Sequence, residues 1–544
     1  MKKARWKLLT YVPFLAIIVI IGIIQSFMLA NEYVKPYPEP FGRATELPQL
    51  ATYGEPVQWI EEGGFTYLAG KTIEIITIDG EGHHRTETRP LPDTGVFHAH
   101  KMIDKDHVIW IGDGNKLYSS VWKNGSWSSK NALNENEITG VQTVVGSKRE
   151  SVLLAYNDST LYVSEFQPNA NLTWTKLDIA NMKQIHGIWD NADSSLSLVY
   201  AVNKDGNESF HFAKLEKASW KPLAQMKLKD VDYATSSLDE LALGGDGSSL
   251  LAAYTTSSRK SGKSTLHMIT IPSNQPDKMQ DEVLNLPVAK GNDSDTILHP
   301  SFSQSSSGEL TLVVSSVYEK NRRQTSQEVY RIGFKDGKML DSTRISQFGG
   351  FAVYPTYTSY NGSSLVIWLD AVNAETYRVY YATDQLSYEQ RMNSLHAEDL
   401  QHAAGNLPLF WGIGVLTALI SLKWILLPGL YLIVISVFWQ YHYDEHAKRH
   451  FGISMAMYLI VKALFIGDYR KPIALQVMPE FLQSVWVSLI VLLLFAGISY
   501  GLTRLWRRGL SERNVGLEMF YFVVLDVFMT NMWYSFFMSP ASLS

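Results

Sequence analysis

The sequence predicts an all-β propeller, with seven blades as the simplest count, joined to α-helical transmembrane segments. Three observations carry this. A hairpin pattern typified by Ser151–Phe166 (SVLLAYNDSTLYVSEF) recurs from about Val57 to Tyr388. The apolar run Leu8–Ala30 precedes it, and several apolar runs follow it from Leu407 onward. Within the hairpin, the run Val152–Tyr156, the polar turn Asn157-Asp158-Ser159 and the alternating Leu161, Val163 and Glu165 have the periodicity of two strands around a tight turn.

Composition narrows the functional classes. A net charge of −5 gives no basic face with which to displace counterions, so no nucleic-acid partner is expected. Cysteine is absent, which excludes disulfides, thiolate metal sites and a cysteine nucleophile, and suits an exported domain of a bacterium that does not rely on disulfides. The 12% of aromatic residues suit strands and a bilayer interface alike.

Taken in order, Lys2, Lys3, Arg5 and Lys7 flank an apolar run long enough to cross a hydrocarbon core, which needs about 20 residues. The run exceeds the roughly 7–15 residues of a secretory signal and lacks a small-residue cleavage site, which favours an uncleaved anchor over residues 1–30 with its N-terminus in the cytoplasm. Residues 31–56 carry Pro36, Pro38, Pro40, Pro48 and Pro56 and are expected to form a semi-rigid stalk. In the region 57–388 the second strands of the repeats begin near Phe65, Val108, Val152, Leu196, Leu250, Leu310 and Leu365. Their spacings of 43, 44, 44, 54, 60 and 55 match propeller blades of four strands each. Six or eight blades stay compatible with the count, because the first unit is weak and ring closure can borrow a strand. The polar insertions Ser257–Ser264, Pro272–Asp295 and Glu319–Gln327 are expected in loops.

Each unit also has a strand before its hairpin, as in Val96–Ile103, Ile185–Trp189, Ile297–Ser303 and Phe351–Ser359, and a closing Trp at 127, 174 and 220. This order resembles the repeats of sialidase-like propellers of the Asp-box type. The resemblance covers about 330 residues and implies the fold. The family's S-x-D-x-G-x-T-W box survives only as fragments such as Asn171-Leu172-Thr173-Trp174, and its catalytic arginines have no counterpart here, so sialidase activity is not implied.

After the repeats, residues 389–406 read as a linker helix and 407–544 as a helical membrane domain. Leu407–Gln440 is too long for one straight crossing, so it is either a bent segment or two short ones meeting near Lys423-Trp424 or Pro428-Gly429. Further runs are Phe451–Gly467, Phe481–Leu502 and Val515–Met538. Placing Arg504, Arg507, Arg508 and Arg513 inside by the positive-inside rule gives five crossings with the C-terminus outside, and six as the alternative.

Three groups of residues are candidates for chemistry. His98 and His100, two apart on a predicted strand and so expected on one face, lie on inner strands with His186, Asp232, His299 and Tyr354, where they are expected either to bind a ligand in the tunnel or to fill it as hydrogen-bonded polar residues. His442, Glu445 and His446 fit H-x-x-E-H, which holds zinc in a family of large soluble peptidases; a polar juxtamembrane helix end is the plainer account, and no other cofactor is expected. Lys423, Lys462, Glu518 and Asp526 lie in apolar segments and call for partners such as a Lys462–Asp526 pair, or mark an ion path. No complete catalytic set emerges. The chain is expected to bind, scaffold or sense a protein or glycan partner at the cell surface, with a cell-envelope enzyme and a transport component as alternatives.

Overall fold

The computed structural model describes the chain except residues 1, 34–40, 53–56, 62–63, 94, 96, 135, 146–150, 167–171, 191–194, 205–206, 217–218, 229–235, 289–291, 294–295, 305–308, 322–323, 347–349, 361, 420, 422, 472–473, 476–477, 479, 509–512 and 539–544, and a few further side chains, among them 2–11 and 98. Two compact units result, one of residues 36–393 and one that joins 1–35 to 394–544.

The first unit is a seven-bladed propeller of antiparallel sheets. Blade 3 is typical: Gly140–Val145, Ser151–Tyr156, Thr160–Phe166 and Thr175–Asp178 pair in chain order. The second strands read as continuous apolar runs because both of their faces are buried. In blade 3, Val152 and Leu154 join the core shared with blade 4, whereas Leu153 and Ala155 join the core shared with blade 2. Blade 7 divides likewise, with Leu365, Ile367 and Leu369 facing blade 1, and Val366 and Trp368 facing blade 6. Seven such inter-blade cores close the ring. Two of the closing tryptophans tie blades together: Trp127 of blade 2 donates to the Pro90 carbonyl of blade 1 at 2.6 Å, and Trp174 of blade 3 donates to the Leu133 carbonyl of blade 2 at 3.2 Å.

Three expectations about connecting segments are corrected. The insertion Pro272–Asp295 supplies the outer strand of blade 5, Gln280–Val283, which pairs with Ser264–Pro272. The insertion Glu319–Gln327 is not a loop but an extension of the blade 6 hairpin, with Glu319 opposite Thr325 and Asn321 opposite Gln324. The expected stalk contributes to the ring, since Thr45–Glu46 and Ala51–Thr52 both pair with Thr376–Thr383, the third strand of blade 7. Phe41, Leu47 and Ala51 are buried by this pairing. A short helix, α2 (Leu386–Met392), follows blade 7 and locks the same seam. Its Tyr388 ring lies between Gly42 and Gly82, where added β-carbons would stand 2.8 and 2.7 Å from ring atoms, and its hydroxyl donates to the Arg43 carbonyl at 2.7 Å. Arg43 N–H donates to Asn393 Oδ1 at 3.2 Å, so the chain enters and leaves the ring side by side.

The second unit contains α1 (Lys2–Tyr33), α3 (Ala397–Ala418), α4 (Lys423–Phe438), α5 (Gln440–Glu445), α6 (Ala447–Leu464), α7 (Val485–Arg507) and α8 (Val515–Met538). The linker helix expected over 389–406 is divided between α2 and the start of α3. The N-terminal helix is integral to this bundle: Gln25 donates to the Met532 carbonyl of α8 at 2.8 Å and accepts from Trp411 of α3 at 2.9 Å. The helices α4 and α6 form an antiparallel hairpin. Lys423 pairs with Asp468 at one end, and near the other Tyr443 accepts from the Gly516 backbone at 3.1 Å. Leu426, Leu430, Ile433 and Val437 present an exposed apolar row along α4. By length and composition, α1, α7 and α8 are apolar enough to cross a membrane, and the stretch Leu386–Ala418 with Lys423–Phe438, bent by 43°, makes up to a fourth span. The five crossings expected from sequence require α6 as well, which carries Lys448, Arg449 and Lys462 within 18 residues.

Candidate functional site on the inner strands

The first strand of each blade packs against the first strand of the next from blade 1 to blade 7, making the inner wall of the ring. Polar side chains on these strands mostly bond across to the neighbouring blade. Gln58 of blade 1 donates to the His100 carbonyl of blade 2 at 2.8 Å and accepts from the Met102 N–H at 3.0 Å. Gln142 of blade 3 accepts from the Gly187 N–H of blade 4 at 3.2 Å, and Gln184 of blade 4 donates to the Asp239 carbonyl of blade 5 at 2.7 Å. These staples escaped the sequence reading, although Gln58, His100, Gln142 and Gln184 stand 42 residues apart.

Four of the predicted inner-strand residues can be placed with their side chains. His100 is 3% exposed and stacks on Phe97 at 5.6 Å. Burial pushes its imidazole down to about 3, and the Lys101 charge acts in the same direction. His186 is pushed down to about 4 by the same two causes, and its Nδ1 is buried with no partner among the described residues. Both rings are therefore neutral at pH 7. Ala99 has φ 47° and sits in a β-bulge between His98, which pairs with Ile111, and Lys101, which pairs with Ile109. The bulge interrupts the two-residue alternation on which the expectation of a shared face for His98 and His100 rested. The His98 side chain and Asp232 lie outside the described residues.

The equivalent bulges in blades 6 and 7 place His299 (φ 55°) and Tyr354 (φ 50°) in the left-handed region, each followed by proline. Their rings lie 4.1 Å apart. Glu240, on the inner strand of blade 5, accepts from the His299 backbone N–H at 2.6 Å with one oxygen, and its other oxygen contacts His299 Nδ1. A neutral imidazole that donates from Nδ1 to this carboxylate keeps Nε2 as an acceptor. The His299 and Glu240 side chains remain 14% and 27% exposed, so this trio offers a hydrogen-bonding pair beside an aromatic ring. A separate cleft of about 600 Å³, counted with its open mouth, lies between blades 4 and 5 and is walled by Trp189, Lys214, Leu223, Leu250 and Pro276.

In the helical unit, all four predicted intramembrane charges have partners of opposite sign. Lys423 contacts Asp468, and Glu518 meets Arg507 at 2.8 Å and Arg513 at 3.3 Å. Lys462 and Asp526 are 1% and 0% exposed and pair at 2.6 Å. Tyr458 also donates to Asp526 at 2.6 Å, and Lys462 to Thr530 at 2.8 Å. The ligand atoms of His442, Glu445 and His446 lie within 4.8 Å of one another.

No family model matches the chain, and no curated protein matches it. Among solved structures it is similar to the polysaccharide lyase Uly1, at 11% identity and TM-score 0.41 over 62% of this chain and 89% of that one. It is also similar to an oligogalacturonate lyase from Vibrio parahaemolyticus, at 10% and 0.39 over 65% and 100%. A Trypanosoma rangeli sialidase matches at 10% and 0.35 over 68% and 62%. At these identities and scores nothing about substrate or activity passes to this chain, and no match extends the Asp-box resemblance beyond the fold.

Proposed function

We propose that the chain is a membrane-tethered binding protein whose propeller is held outside the cytoplasm by helices at both ends and captures a glycan partner through its inner-strand face. The observation that carries this reading is the trio Glu240, His299 and Tyr354, drawn from three consecutive inner strands and left partly exposed where the glutamines are spent between blades. An aromatic ring offers a surface to the apolar face of a sugar, and a carboxylate–imidazole pair accepts and donates to its hydroxyls. The full-length protein in lipid nanodiscs is titrated with soluble cell-envelope oligosaccharides. Saturable binding weakened at least tenfold by both Tyr354→Ala and His299→Ala is expected; binding indifferent to both variants, or none at all, would refute the reading.

The same Glu240–His299 contact favours one alternative, an enzyme that uses the imidazole as acid or base on an envelope polymer. Polymer cleavage by the intact protein, lost in Glu240→Gln, would replace binding by catalysis.

The tether is supported by the helices apolar enough to cross, and by the α4–α6 hairpin, which runs beside the part of α8 from Gly516 to Asn531. That part is about 24 Å long. Counting the hairpin as two passes gives five crossings, with the N-terminus inside and the Arg504–Arg513 loop inside. A reporter fused after Glu445 is expected in the cytoplasm, and finding it outside would overturn this topology.

A further inference from the structure

We propose that His442, Glu445, His446 and His450 form a binding site for one divalent transition-metal ion, with Zn2+ as the fitting type, at the tip of the α4–α6 hairpin. The three histidines follow one another at intervals of four. The backbone keeps them stacked although the helix breaks at His446: His446 N–H donates to the His442 carbonyl at 3.0 Å, and His450 N–H to the His446 carbonyl at 3.1 Å. The His442 ring lies 4.4 Å from His446 and 5.5 Å from His450. Zinc bound at about 2.0–2.1 Å lies some 3.2 Å from each ring centre, so tetrahedral ligands have ring centres about 5 Å apart, between the two observed values.

The state of the nitrogens points to a ligand. His450 is 4% exposed; its Nδ1 lies 2.8 Å from the Tyr431 hydroxyl, while its Nε2 is buried with no partner among the described residues. His446 Nδ1 is likewise buried without a hydrogen bond among the described residues, with Glu445 Oε2 3.9 Å away. Two buried imidazole nitrogens without hydrogen bonds in one cluster are costly in a packed protein, and a cation bound by them removes that cost. If His450 Nδ1–H donates to Tyr431, Nε2 carries the lone pair a metal needs, and Tyr431 becomes the outer partner that orients a metal-bound histidine. Tyr443 stacks on His450 at 5.9 Å from the other direction and is itself held by the Gly516 N–H.

Glu445 brings one negative charge to the ion, set against the exposed cations Lys448 and Arg449 that lie between His446 and His450 in the chain. His442 and Glu445 are exposed and give the ion an entry path. Three imidazoles with one carboxylate select borderline-soft cations over Ca2+ or Mg2+. With Glu445 as a ligand, the site is a closed clamp on the hairpin tip instead of a hydrolytic centre.

The test uses the full-length protein in detergent, stripped with a chelator and then titrated with Co2+. One equivalent bound with the visible absorption of tetrahedral cobalt, and displaced by Zn2+, is expected. His446→Gln and His450→Ala should bind less than a tenth of an equivalent, and Tyr431→Phe should keep one equivalent with about tenfold weaker affinity. His396→Ala, outside the cluster, should match the parent. Zn2+ should also raise the melting temperature of the parent but not of His446→Gln, which keeps the test open if His450→Ala does not fold. Less than a tenth of an equivalent in the folded parent, or uptake that survives joint replacement of the three histidines, would overturn the proposal.

Discussion

Removing either partner of the buried Lys462–Asp526 pair should destabilise the helical unit far more than removing both. The two charges are 2.6 Å apart and essentially inaccessible. At an effective dielectric of 20 their attraction is about 6 kcal/mol, which roughly offsets the several kcal/mol needed to desolvate each ion. The pair as a whole is therefore near neutral, whereas a lone survivor bears its desolvation cost uncompensated, about 3–5 kcal/mol. Lys462→Met strands Asp526 with Tyr458 as its one donor among the described residues, and Asp526→Leu strands Lys462 with Thr530. An ordinary hydrogen bond between helices in a membrane contributes about 0.6 kcal/mol and at most about 1.7, so the two explanations separate cleanly. For a unit of about 190 residues, at roughly 2–4 °C per kcal/mol, each single variant should melt about 6–20 °C lower in a detergent thermal-shift assay. The double variant Lys462→Met/Asp526→Leu should recover to within a few degrees of the parent. Single variants melting within 3 °C of the parent, or a double variant no better than its worse single, would refute this reasoning.

The propeller should be acid-sensitive through His100. Its pKa is held near 3 when folded against about 6.5 unfolded, so the unfolded chain takes up the proton first, and stability present above pH 6.5 is lost as pH falls toward 3. This amounts to about 2–3 kcal/mol by pH 4.5, read by denaturant titration; His100→Gln, which copies the residue at 58, 142 and 184, should flatten that loss, and parallel pH profiles would count against it. At the seam, Gly82 has φ 74° and no room for a methyl group beside Tyr388, so Gly82→Ala should cost about 2–4 kcal/mol and speed proteolysis near residue 42, whereas Tyr388→Phe should cost about 1 kcal/mol. Equal stability of Gly82→Ala and parent would show that the seam yields.

The blade repeat was legible because the second strands are buried on both faces, which writes each one into the sequence as an unbroken apolar run such as Val152–Ala155. Trp127 and Trp174 were visible as markers, but their partners, the Pro90 and Leu133 carbonyls, lie 37 and 41 residues back and are backbone atoms any residue could supply. The bulges were half visible. Pro300 and Pro355 punctuate two of them, whereas Ala99 takes a left-handed conformation with no residue type to announce it. Glu240 was missed because its meeting with His299, 59 residues on, exists only once the ring has placed blade 5 beside blade 6. The Lys462–Asp526 pair was legible because charges in apolar segments call for partners of opposite sign, whereas the Tyr458 and Thr530 hydroxyls that complete it were not.

The seam at Arg43 and Asn393 has a kinetic consequence for assembly. The first helix packs against α3, yet about 360 residues separate the two in sequence. With the ring unfolded, α1 searches for α3 across that whole length; once it has closed, the connection contracts to the equivalent of about ten residues. The difference in loop-closure entropy is about 3 kcal/mol, enough to shift the docking equilibrium of α1 more than a hundredfold. Folding of the ring is thus a timing signal for the helical unit, because the helix that emerges first docks against α3 far more readily once the domain between them is complete.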